Sequence, residues 1–284
     1  MATAVITFTY NEAVNLPIWI RHYGANFGES NLFIADRGSD DGSLDDVGSA
    51  NVLRLPRNDF DEFQKTAFMS NFHRSLLNFY DTVIITDCDE LIVPDPLKFE
   101  NLRDYIETSN FDYVNSIGLE ILHIINAEMP INLTMPVLSQ RKYAHFYSVG
   151  CKNLISRVPT TWLPGFHSCN HPPRIDPDLY MIHTKLMDFS TAMNRQRVNI
   201  DTVWSQRSLD QNLGAHHRFD LKRFVHEFFL APIDVINRNL VLPFTFDAEI
   251  AEITSKTIEH EGYFHIPMNI SKFVELPDRF RNAV

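Results

Sequence analysis

The sequence predicts an α/β fold: a mostly parallel central sheet flanked by helices, followed by a helical C-terminal stretch. Three observations predict it. Short runs of β-branched and aromatic residues recur through the first half of the chain. Apolar residues at helical spacing lie between those runs, and alternation of that kind implies a parallel sheet covered by helices. The chain has 284 residues, 44% of them hydrophobic, which is enough for one large domain or two small ones with a sizeable core.

Residues 4–10 (AVITFTY) read as a buried strand. Leu16, Trp19, Ile20, Tyr23 and Phe27 follow at helical spacing, with Pro17 in the first turn, where a missing N–H costs little. Residues 31–36 form a second strand, ended by the polar turn 37–43, and residues 51–55 a third. Phe60, Phe63, Ala67, Leu76, Leu77 and Tyr80 support a helix between about 60 and 80, before a fourth strand at 82–86. Residues 113–125 and 143–157 each contain a strand, while the Pro- and His-rich stretch 159–178 reads as loop. Helices are expected from about 188 onward, including 219–230. The simplest division is a domain over 1–218, with halves 1–110 and 111–218, and an extension over 219–284.

Composition narrows the function classes. A formal net charge of −11 repels phosphate polymers, so nucleic acid is excluded as a partner, although a metal or a few Arg and Lys can invert the sign locally. Cys88, Cys151 and Cys169 have no paired spacing, which implies no disulfide framework and a reducing compartment. The N-terminal apolar run is short and lacks a basic flank, so it is a strand and not a signal peptide. No segment approaches the ~18 apolar residues of a membrane span. A cytoplasmic protein is expected, with peripheral attachment at the inner membrane face left open.

The chemistry concentrates after the fourth strand, in Thr86-Asp87-Cys88-Asp89-Glu90-Leu91. In an extended backbone, residues two apart face the same way, so Asp87 and Asp89 would present two carboxylates to one point. That point lies at the carboxyl end of a parallel strand, where α/β sheets place ligands. Hard oxygen donors suit Mg²⁺ or Mn²⁺. The competing reading is a solvated acidic strand end. Crowding buried carboxylates is costly without compensation, which favours a functional cluster.

With these residues in view, the first half resembles a glycosyltransferase of the GT-A fold, similar to family 2. Asp87-Cys88-Asp89 resembles its DXD motif, and Asp-x-Asp-Glu-Leu-Ile-Val-Pro resembles a bacterial branch. The resemblance implies a nucleotide-diphosphate sugar donor and a glycan or glycolipid acceptor, as in capsule or lipopolysaccharide synthesis. It also implies a divalent cofactor, Mn²⁺ or Mg²⁺. Tyr10, Asn11 and Glu12 match the nucleotide-binding loop, with simple helix capping by Asn11 as the alternative. Asp36 matches the residue that contacts the base. Lys65 is placed to reach a ribose or phosphate, or to be an ordinary surface lysine. Asp87 would meet the nucleotide sugar.

In the second half, Pro164-Gly165-Phe166-His167 and Met181-Ile182-His183-Thr184-Lys185 match the same branch. A late His joins the metal in many such enzymes, which points to Asp87, Asp89 and His183 as ligands, with His167 second to His183. Lys152, Arg195 and Arg197 are candidates for neutralising the diphosphate. An inverting reaction needs a base, and the family's usual Glu-Asp pair is missing. Glu120 and Asp210 are the candidates for that role. Two alternatives stay open: a sugar nucleotidyltransferase, weakened by the absence of a Gly-rich basic loop after the first strand, and a non-catalytic nucleotide-sugar or glycan-binding module.

Overall fold

Strand β1 (Thr3–Thr9) is buried along nearly its whole length, as a parallel strand covered on both faces should be. Helix α1 (Asn15–Phe27) returns the chain along one face to β2 (Leu32–Asp36), and β3 (Asn51–Arg54) forms the exposed edge. Helix α2 (Glu62–Leu76), capped by Asp61 accepting from the Gln64 N–H, leads to β4 (Thr82–Asp87). The order β3-β2-β1-β4 is parallel throughout. These four strands and two helices match the expected elements closely. The structure is a computed structural model that describes residues 1–284.

The second half adds strands of both directions. After β5 (Glu90–Pro94) and α3 (Leu102–Thr108) comes the long β6 (Tyr113–Leu122), then β7 (Tyr143–Tyr147), β8 (Asn153–Ser156) and the short β9 (Ser168–Cys169). Strand β10 (Ile175–His183) lies between β5 and β6, antiparallel to the first and parallel to the second. β8 joins the two halves of the sheet by pairing antiparallel with both β4 and β6. The stretch 159–178 therefore holds β9 and the start of β10, where loop was expected. Its Pro and polar residues hide the strand, because its pairing partners come from elsewhere in the chain.

Residues beyond β10 form α4 (Phe189–Ile200), α5 (Gln206–Asp210), α6 (Leu221–Val225), a π-helical turn at His226–Leu230 and α7 (Ala231–Asn237), then α8 (Asp247–Lys256). Helices α4, α6 and α7 enclose a small second core of Leu122, Leu186, Ala192, Phe224, Phe229 and Ile233. The C-terminal stretch also supplies strands: β11 (Ile258–His260) and β12 (Tyr263–His265) form a hairpin against β9, and β13 (Ser271–Glu275) pairs with β7. Phe246, Ile253, Val274 and Phe280 belong to the main core, so 219–284 is built into the domain. No helix is long and apolar enough to cross a membrane.

One core residue has a measurable consequence. His73 of α2 is fully buried, its ring set edge-on to Trp162 with centroids 5.0 Å apart, and neither ring nitrogen has a partner. Burial pushes its pKa down to about 3. The unfolded chain binds this proton below about pH 6.5 and the folded chain does not, so stability falls as pH drops from there toward 3. At pH 5 the loss from this group alone is about 2 kcal/mol. His73→Phe is expected to melt higher than wild type, with a difference that widens between pH 7 and pH 5. Parallel melting curves over that range would remove His73 as the cause.

Candidate active site

The acid cluster sits where β4 ends and β5 begins, at the carboxyl edge of the parallel strands. Residues 88–89 form a turn and not extended backbone, and Asp87 and Asp89 pair with different groups, Asp87 with Lys65 and Asp89 with His183. This corrects the expectation that both carboxylates face one point. Two tyrosine hydrogen bonds fix the turn from beneath: the Tyr23 hydroxyl donates to Glu90 O and accepts from the Ile92 N–H, both at 3.0 Å. Trp19 Nε1 donates to Thr86 Oγ1 at 2.8 Å.

Asp87 faces two ammonium groups. Lys65 Nζ of α2 lies 2.9 Å from Oδ1, and Lys152 Nζ lies 4.0 Å from Oδ2 and in contact with Glu90 Oε1. Burial opposes the Asp87 charge, but the two lysines outweigh it and hold the carboxyl below its usual range. Burial likewise disfavours the Lys65 charge, and Asp87 and Glu62 raise it above the ordinary lysine value. Lys65 is thus a site residue and not a solvated one.

Asp89 turns the other way. Its Oδ2 lies 3.3 Å from His183 Nε2, while His183 Nδ1 lies 2.7 Å from Glu120 Oε2. Strand register creates this row, since His183 pairs across the sheet with Glu90 on β5 and with Glu120 on β6. The Tyr147 hydroxyl is 3.0 Å from the same Nδ1. Burial opposes the imidazolium, but Glu120 and Asp89 raise His183 well above its ordinary value. Asp89 is correspondingly held low, His183 outweighing burial. Glu120 reaches the site as expected, yet both its oxygens are engaged: Oε1 accepts from the Leu186 N–H at 3.2 Å. Its carboxylate thus contacts both the His183 ring and the backbone after β10.

The loop after β1 borders this row. Glu12 Oε1 meets Arg195 Nε at 3.0 Å, and Oε2 accepts from Asn15 at 3.1 Å. Burial, only partly offset by Arg195, raises Glu12 to about 7. Arg195 also donates to Tyr10 O at 2.7 Å and Asn11 O at 3.1 Å, so it ties α4 to the loop. Asn11 does not cap α1, whose N-cap is Val14 without a side-chain bond. With φ of +52°, Asn11 donates its side-chain amide to Asp40 Oδ1 and accepts from the Asp40 backbone N–H at its own Oδ1, each 2.9 Å. Asp36 is fully buried and accepts from Gly38 N, Ser39 N and Ser39 Oγ, with Arg54 at 2.8 Å. Its carboxylate builds the turn. Beside it, Arg57 lies over the Tyr10 ring at 4.3 Å, and Arg57, Asn58, Asp61, Gln64 and Ser205 line an open polar cleft of about 490 Å³.

Two candidates fall outside. Asp210 is exposed at the end of α5 and bonds to Gln206 at 2.7 Å, so it faces no site group. Arg197 is exposed and bonds to Asn194. His167, in contrast, comes near Asp87 and Lys152 and stays neutral, pushed down to about 4 by burial and Lys152. Its Nδ1 donates to Val149 O at 2.7 Å, leaving Nε2 as a bare lone pair. Sequence reasoning missed Glu90 as the partner of Lys152 and Tyr147 behind His183. Both are contacts between segments far apart in the chain, which no local motif carries.

The donor set can be tested for a divalent ion. No three His, Cys, Asp or Glu side chains form a cage by themselves. Asp89 Oδ2 and His183 Nε2 nevertheless stand close enough to be adjacent ligands, and Glu120 holds the far nitrogen, the arrangement that orients a metal-binding imidazole. Mg²⁺ and Mn²⁺ accept one or two protein donors and complete their shell with water and phosphate oxygens. Asp89 and His183 fit such an ion, and its binding would release the imidazole proton. Asp87, held between two ammonium groups, does not fit as it stands.

No protein-family model matches the chain, and no curated protein matches it. Among solved structures the chain is similar to mannose-1-phosphate geranyltransferase from Thermus thermophilus. The identity is 8% and the TM-score 0.32, over 82% of this chain and 67% of that one. A likeness of that grade carries no activity across, and the α/β architecture rests on the strand order itself.

Proposed function

We propose that the protein is a transferase that moves a sugar from a nucleotide-diphosphate sugar to an acceptor hydroxyl. A divalent ion, Mn²⁺ or Mg²⁺, would be held by Asp89 and His183. The observation that carries the reading is the row Asp89–His183–Glu120 at the carboxyl edge of the sheet, beside a loop and helix start suited to a nucleotide. When bound, the ion would neutralise the diphosphate and ease its departure. Glu120 fixes the His183 ring, and Tyr147 closes off the same nitrogen. Lys65 pairs with Asp87 and Lys152 with Glu90, so these side chains are held in place before substrate arrives. Arg195 holds the Tyr10–Glu12 loop, where Tyr10 and Asn11 would meet the nucleotide. A glycan or glycolipid acceptor and an inverting course belong to the same proposal.

The test is thermal shift with UDP, GDP, CDP and dTDP, with and without Mn²⁺, on wild type and Asp89→Ala. One nucleotide should raise the wild-type melting temperature only with metal, by mass action, and Asp89→Ala should lose that increment. Absence of any nucleotide effect on wild type would sink the reading. Release of pyrophosphate from a nucleoside triphosphate and a sugar 1-phosphate would move the assignment to a nucleotidyltransferase.

A further inference from the structure

One cation of the site has no carboxylate of its own. Lys65 is held by Asp87, Lys152 by Glu90, Arg195 by Glu12, and His183 by Asp89 and Glu120. Lys185 forms no ion pair within 4.0 Å, although Glu120, Asp89 and Asp87 all act on its charge through space. Its backbone has little freedom. The preceding Thr184 donates its N–H to Asp89 O at 2.8 Å and its hydroxyl to the same oxygen at 3.1 Å, and the following Leu186 N–H goes to Glu120. The half-buried stem runs beside Phe228, whose ring centre is 5.8 Å from Nζ. Arg195, itself paired with Glu12, is the basic neighbour that acts on this ammonium.

A half-buried ammonium with no carboxylate partner of its own is open to an incoming anion, whose charge it can meet without first breaking an ion pair. The anion has to be compact enough for a point charge with three rotatable donors, which describes a phosphate oxygen better than a planar group. On the transferase reading above, on which this inference rests, we infer that Lys185 is the residue that binds the diphosphate of the nucleotide-sugar donor. This assigns to Lys185 the task that the sequence suggested for Lys152, Arg195 and Arg197. The first two are committed to Glu90 and Glu12, and the third is exposed elsewhere.

The experiment is calorimetric titration of UDP, GDP, CDP and dTDP, and of their parent nucleosides, into wild type, Lys185→Met and Lys185→Arg at low and high salt. For the nucleotide that wild type prefers, Lys185→Met should lose roughly 10- to 100-fold in affinity, the worth of one charge-assisted contact. It should keep wild-type affinity for the nucleoside and show a flatter salt dependence, and Lys185→Arg should recover most of the loss. A merely structural lysine would weaken nucleoside and nucleotide alike. Should Lys185→Met melt early, Lys185→Gln carries the same comparison. Equal nucleotide affinity and salt slope in wild type and the neutral variant would overturn the role of Lys185 and leave the transferase reading standing. If wild type binds no nucleoside diphosphate, both fall.

Discussion

His183→Ala is expected to lower sugar transfer by roughly 10²- to 10⁴-fold, the range for removing a group that acts at the reacting centre. Two things go at once. The nitrogen donor beside Asp89 Oδ2 disappears, and Asp89 and Glu120 lose the cation between them. Glu120→Gln keeps the ring but weakens its hold on Nδ1. Its expected loss is smaller, about 10- to 100-fold, as for other residues that orient a ligand from behind. Steady-state release of free nucleoside diphosphate measures both, with circular dichroism to confirm folding. The order matters more than either number. A Glu120→Gln enzyme slower than His183→Ala would make Glu120 the reacting group and His183 its support, reversing the assignment. Wild-type turnover by His183→Ala would remove the imidazole from the chemistry.

Gly118→Ala is expected to be the most damaging single-methyl change in the sheet. Gly118 lies on β6 opposite the turn between β7 and β8. A Cβ there would sit 2.5 Å from Gly150 Cα and 2.6 Å from Gly150 O. Both are backbone atoms, so no side chain can rotate away, and relief requires moving the turn. Overpacking of this kind costs about 3 kcal/mol or more. The shift would also reach the chemistry, because Lys152 follows two residues after Gly150 and touches Glu90. Urea unfolding gives the stability loss and the nucleotide thermal shift gives the coupling to the site. A variant as stable as wild type would mean that the turn yields freely, and the close approach would then have no structural weight.

The first half of the fold is legible because its strands are buried on both faces. β1, β2 and β4 are nearly unbroken apolar runs, and the intervening helices keep a clear apolar stripe. β5 and β10 are not legible for opposite reasons. β5 follows β4 after a two-residue turn and merges with the acid motif, while β10 opens on Ile175-Asp176-Pro177-Asp178 and reads as loop. For the site, sequence pattern finds the side chains but not their partners. Asp89, His183, Glu120, Lys65 and Lys152 all converge, yet the placing of His183 between Asp89 and Glu120 depends on register across β5, β10 and β6, and the lysine partners on where α2 and the start of β8 pack. Asp210 fails because its short helix is clamped to the loop before α2: the Ser205 hydroxyl donates to Asp61 and that of Ser208 accepts from the Glu62 N–H.

The position of β10 between β5 and β6 also makes the site depend on long-range pairing. The parallel quartet lies within residues 3–87, which supply Lys65 for Asp87 and Arg54 for Asp36. Lys152, His183 and Arg195 come far later in the chain, and non-local pairing is slow because a long loop must close first. Insertion of β10 brings the imidazole that joins Asp89 to Glu120, and α4 then brings the guanidinium for Glu12. The candidate edge is therefore assembled from segments far apart in the chain, and a chain cut before β10 would carry only part of it.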